Sequence, residues 1–89
     1  MNVNEQRQQH PQSWARRVAE LEGQLVERYA PILRIEDVAD VLAISRRAAQ
    51  VADQRGALPI KMKKIPNRRD KIVSARLVAE YLVSLEKTV

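Results

Sequence analysis

The chain has 89 residues, 45% of them apolar and 30% charged, enough for one small domain with a modest core. It has no cysteine, so disulfides and thiolate metal sites are excluded and a reducing, cytoplasmic setting is expected. The formal charge is +5, from 16 basic and 11 acidic residues, and no apolar run approaches the roughly 20 residues of a membrane span, so a membrane is not expected as a partner.

The first 12 residues, within the polar start MNVNEQRQQHPQS, are rich in Gln and Asn and read as a disordered tail without a signal-peptide core. His10 is the only histidine and has no partners suited to metal or catalytic work, so it reads as a solvated tail residue. Ser13 is positioned to cap a helix from Trp14, giving an N-terminal helix over 13–30 that Pro31 ends. Along it Trp14, Val18, Leu21, Leu25 and Tyr29 form one apolar stripe at helical spacing, while Arg16, Arg17, Glu20, Glu27 and Arg28 lie largely on other faces. Two uses of the stripe stand: packing on the chain's own core, or pairing with a second copy in a homodimer.

A short extended piece, PILRI, leads into EDVADVLAI, where Glu36 and Asp37 suit the first turn of a helix and Val38, Ala39, Val41 and Leu42 supply its apolar face. Ser45 is an N-cap for RRAAQVADQRG, and Gly56 stands where a left-handed C-cap is needed. The spacing fits a helix-turn-helix: small Ala39 at the crossing, Ala43 in the turn, Ile44 as a plug between the helices, and Val38, Leu42, Ala49 and Ala52 pointing inward. The outer side of the second helix carries Arg46, Arg47, Gln50 and Gln54, with Val51 beside them and Ser45 at its start. Arg matches the guanine acceptors in a major groove, Gln matches adenine, and Val meets a thymine methyl. The competing reading is a solvated face that is polar and basic.

Leu58, Ile60 and Met62 alternate with Pro59, Lys61 and Lys63, which predicts a half-buried strand; PNRRD predicts a turn and KIVS a second strand. Ser74 then caps a last helix with Leu77, Val78, Tyr81, Leu82 and Leu85 as its core face. A hairpin with a basic tip after a helix-turn-helix makes a wing, here Lys61, Lys63, Lys64, Asn67, Arg68, Arg69 and Lys71. The 61–71 segment holds six basic residues and one acid, and the rest of the chain holds ten of each, so the whole excess of charge lies in this stretch. Localised excess is the footprint of phosphate contact, whereas the alternative is a loop charged only for solvation.

RIEDVADVLAISRRAAQVADQRGALPIKMKK followed by IVSARLVAEYL resembles the small winged-helix proteins of phage and mobile elements: excisionases, AlpA-type regulators and the pyocin-activator family, related in shape to the MerR DNA-binding head. The shared outline is Ile35 to Leu42, Ser45 before the recognition helix, Gly56 to Pro59, a basic wing, and Leu77 to Leu82. The Ser13–Tyr29 helix is an addition to that plan, and the wing lacks an aromatic or Gly-rich tip. The expected fold is therefore mainly α with a small β-hairpin, a winged helix-turn-helix over 31–89 plus an extra N-terminal helix. The resemblance implies a sequence-specific double-stranded DNA-binding protein, a small phage- or plasmid-type transcriptional regulator with RNA polymerase as a further partner. One alternative is a recombination directionality factor that bends attachment-site DNA beside an integrase; another is an interaction protein docking its basic wing on an acidic protein surface. No acid–base pair, metal-ligand spacing or cofactor loop is present in the sequence, so neither an enzyme nor a cofactor is expected. Single-strand binding fits less well, because there is no Phe and the Trp and both Tyr fall on core-facing stripes.

Overall fold

A computed structural model describes the backbone of residues 3–86 and the side chains of residues 13–86. In chain order its elements are α1 (Val3–Arg28), β1 (Ile32–Arg34), α2 (Ile35–Val41), α3 (Arg46–Gln54), β2 (Lys63–Lys64), β3 (Lys71–Ser74) and α4 (Ala75–Glu86). The fold is mainly helical with a three-stranded antiparallel sheet in the order β1-β3-β2. Among the described residues, no helix is long and apolar enough to cross a membrane.

The apolar stripe of α1 is used inside the chain. Val18 and Leu25 are buried, and Trp14, Leu21 and Tyr29 are partly buried against the same core. The helix lies along α4, and charged side chains close the seam: the Arg17 guanidinium donates to Glu86 at 2.9 Å and to Glu20 at 3.2 Å, and Arg76 approaches Glu22 at 3.9 Å. The Arg17 contact holds the Glu86 carboxyl below its ordinary range, and the two carboxylates raise the Arg17 guanidinium above its own. Of the two expected uses of the stripe, Trp14, Val18, Leu21, Leu25 and Tyr29 thus serve the first, packing on the chain's own core. A correction concerns where the helix starts. α1 begins at Val3, so Ser13 is an interior residue rather than an N-cap. The backbone is helical over most of the expected 1–12 tail, because Gln, Glu and Arg are good helix formers and polarity alone does not end a helix. Residues 1 and 2, and the side chain of His10, lie outside what is described.

The extended piece before α2 is a full member of the sheet. In β1–β3 the register pairs Ile32 with Ser74, Leu33 with Val73 and Arg34 with Ile72; β2–β3 pairs Lys63 with Ile72 and Lys64 with Lys71. Leu33 and Val73 are both buried, so this cross-strand pair is the inner face of the sheet. The strand predicted over 58–62 is not formed. Ile60 and Met62 are buried and Lys61 is exposed, as the alternation requires, but the segment runs as irregular chain and the ladder begins only at Lys63. Pro59 has no N–H to give a ladder, and β2 contributes two residues only.

In α4, Ser74 caps as expected, its Oγ accepting from the Leu77 N–H at 3.1 Å. The buried face is Ala75, Val78, Ala79 and Val83, with Tyr81 and Leu82 partly covered. Leu77 and Leu85, expected in the core, are 52% and 44% exposed. The buried face thus includes two small alanines, and two of the large leucines stay outside it.

The pair α2–α3 is built by two matching stops. At the end of α2 the Ala43 N–H donates to the Asp40 carbonyl (3.1 Å) and the Ile44 N–H to Ala39 (3.0 Å), with Ala43 at φ 59°. At the end of α3 the Gly56 N–H donates to Asp53 (3.0 Å) and Ala57 to Ala52 (2.7 Å), with Gly56 at φ 69°. Both are Schellman motifs, and the first places Ala where Gly is usual. At the helix starts, the Asp37 carboxylate accepts from the Arg34 N–H at 3.0 Å, and Ser45 Oγ accepts from the Ala48 N–H at 3.0 Å. Ala39 and Ala49 are buried, Val38 is buried in the main core, and Leu42 and Ala52 are half-buried. Ile44 is not the expected plug: it is 40% exposed, because close packing at Ala39 and Ala49 leaves it outside.

Candidate functional site

Helix α3 is anchored by very little of itself. Ala49 is its one fully buried residue, and Ala52 and Asp53 are partly covered. Everything else faces out. Arg46, Gln50 and Gln54 follow at i, i+4 and i+8 on one row, and Arg47 and Val51 lie on the next; all five are exposed and together line one open depression. Each sequence-predicted residue of this helix therefore sits on a single free face. Ser45 is adjacent but serves as the cap. Arg46 is drawn 3.8 Å from Glu36 in an exposed pair, a contact of about 0–1 kcal/mol that leaves it easily redirected.

The hairpin loop between β2 and β3 is shaped by one turn. Arg68 N–H donates to the Ile65 carbonyl at 3.2 Å across Pro66 and Asn67, with Asn67 at φ 66°. Pro at the second position and a left-handed third position make this a type II turn, for which Asn is a suitable non-glycine residue. The turn presents Asn67, Arg68 and Arg69 on an exposed tip. Lys61, Lys63, Lys64, Arg68 and Arg69, with Arg47 of α3, are all exposed, and their side chains have no hydrogen-bond or ion-pair partner among the described residues. Uncompensated cations held close together repel one another, and a polyanion or its counterions relieves that repulsion.

The two clusters meet. Arg46, Gln50 and Gln54 of α3 face Arg69 and Lys71 of the hairpin across a cleft of about 580 Å³, which Arg34 and Glu36 close from the β1–α2 junction. Lys71 departs from its expected role as a free phosphate contact: its Nζ lies 2.7 Å from Asp53 Oδ2, and the pair is partly buried. Three further residues escaped the sequence reading. Arg34 reaches the cleft from an element not known to join the sheet, and Asp53 is the single acid of α3. Arg55 is exposed at the C-cap of α3 and shares a depression with Arg47 and Val51. Its spacing of eight residues from Arg47 was a usable signal, since i and i+8 fall on nearly one helical row.

No protein-family model, no curated protein and no solved structure matches this chain.

Proposed function

We propose that this protein is a sequence-specific double-stranded DNA-binding protein of winged helix-turn-helix type, a small transcriptional regulator of the phage and plasmid kind. The observation that carries the proposal is the shared cleft: the free face of α3 and the basic hairpin tip open on the same side of the molecule. A groove-entering helix needs an exposed row of long hydrogen-bonding side chains on a short, well-capped helix, and Arg46, Arg47, Gln50 and Gln54 form such a row beside Val51. A flanking element needs cations for the phosphates that border the groove, which Lys63, Lys64, Arg68 and Arg69 supply. In this reading α3 is the recognition helix and the β2–β3 hairpin is the wing. Helices α1 and α4, joined by the ion pairs Arg17–Glu86 and Arg76–Glu22, form the support.

A binding-site selection from a random duplex pool tests the proposal. The wild-type chain should enrich a motif of several base pairs. Arg47→Ala and Gln50→Ala should each relax preference at particular positions, by about 1–3 kcal/mol for a bidentate contact, with the fold unchanged because both residues are exposed. Enrichment of the same motif by the wild type and by both variants would remove α3 as the reader.

A further inference from the structure

Asp53 is an acid in the wrong place for a helix that meets DNA. It lines the cleft with two other acids, Glu36 and Asp70, but those are exposed, whereas the Asp53 side chain is only 16% exposed and is held by Lys71 Nζ at 2.7 Å. Among the described residues this is the only hydrogen bond or ion pair joining α3 to the hairpin. The covalent route between them, residues 55–62, is irregular chain, and the outer strand of the hairpin is two residues long. The pair is thus the direct polar tie between α3 and the hairpin, beside the indirect route through β3, β1 and α2.

We propose that Asp53 and Lys71 are a positioning pair that sets how strongly the protein discriminates its DNA site from other duplex. The proposal rests on the DNA-binding reading above. The pair has two effects that act together. It withholds one cation from phosphate, which weakens binding to every sequence alike. It also fixes the hairpin against α3, so that phosphate contacts and base contacts are satisfied in one register only. Partial burial keeps solvent and salt from screening the pair as they screen Arg46–Glu36 on the surface, where both side chains are about half exposed or more.

The test compares the full chain with Asp53→Asn, Lys71→Gln, the double variant and Asp53→Glu, measuring affinity for the selected duplex and a scrambled duplex between about 50 and 200 mM salt. Asp53→Asn frees Lys71, so the scrambled duplex should bind more tightly at low salt. One added phosphate contact steepens the salt slope by about 0.9, about a 3.5-fold larger loss of affinity over that salt range. Discrimination between the two duplexes should fall. Lys71→Gln leaves the Asp53 carboxylate uncompensated, so both affinities should drop. The double variant should return scrambled-duplex affinity towards wild type without restoring discrimination, and Asp53→Glu, which keeps the charge, should retain the wild-type slope. A folded Asp53→Asn protein with unchanged slope and unchanged discrimination overturns the proposal while leaving DNA binding intact. A wild-type chain that binds neither duplex at low salt overturns the DNA reading and this proposal with it.

Discussion

The two short helices around the turn end in the same hydrogen-bonded stop, but one has Ala and the other Gly at the left-handed position, and this asymmetry can be inverted. Ala43 at φ 59° carries a Cβ that crowds the following carbonyl, a strain of about 1–2 kcal/mol in the left-handed region. Ala43→Gly relieves it, while the unfolded chain gains about 0.5–1 kcal/mol of backbone freedom. The net expectation is a stabilisation of about 0.5–1 kcal/mol. Gly56→Ala runs the same exchange backwards. A Cβ built at Gly56 would meet nothing within 4 Å, so no steric clash with a neighbour adds to its backbone cost. For a domain of this size the shifts in Tm are about 2–8 °C, upward for Ala43→Gly and downward for Gly56→Ala, read by thermal melts followed at 222 nm. If Ala43→Gly melts lower than wild type, Ala43 does not occupy the left-handed stop and the turn between α2 and α3 has a different geometry.

Removing α1 should abolish cooperative folding, because Val18 and Leu25 belong to the core: a chain beginning at Ala30 is expected to show no sigmoidal melt, and a cooperative one would place the helix outside the core. Arg68→Ala together with Arg69→Ala should lower the salt slope of duplex binding by about one to two units for all sequences alike, and an unchanged slope would take the hairpin tip off the DNA. The Tyr29 hydroxyl donates to Asp40, which raises the phenol above its ordinary value of 10.0, with burial adding to the rise. A raised folded pKa means that this stabilisation is complete below pH 10.0 and is lost as pH rises through the folded value. Phenolate absorbance should show one tyrosine titrating higher in the native than in the unfolded chain, and Asp40→Asn should bring it down.

The legible parts of this fold are those determined by neighbours in sequence. Ser45, Ser74 and Gly56 each act within three or four residues, so both caps and the α3 stop could be read directly, as could the exposed face Arg46, Arg47, Gln50, Val51 and Gln54. What pairs with what was less accessible. β1 is three residues long and its partner lies some forty residues away, so nothing local marks Leu33 as the partner of Val73. The stripe on α1 was plain, but not that it would lie along α4, whose buried face includes the small Ala75 and Ala79 while the larger Leu77 and Leu85 stay exposed. Met62 and Ile60 were recognisable as core, yet burial at period two did not amount to a strand without a partner. In the candidate site the cations were visible as a charge run, whereas the Lys71–Asp53 contact, which removes one of them from the free set, joins residues 18 apart and needed the folded chain.

The measurement closest to the central claim is the affinity for duplex DNA as a function of salt. With the hairpin tip and α3 neutralising about five phosphates, log K should fall against log salt with a slope near −4 to −5, from tight binding at low salt. A selected site should bind well above a scrambled one at every salt concentration. Free duplex at low salt, or a slope near zero, would contradict the account.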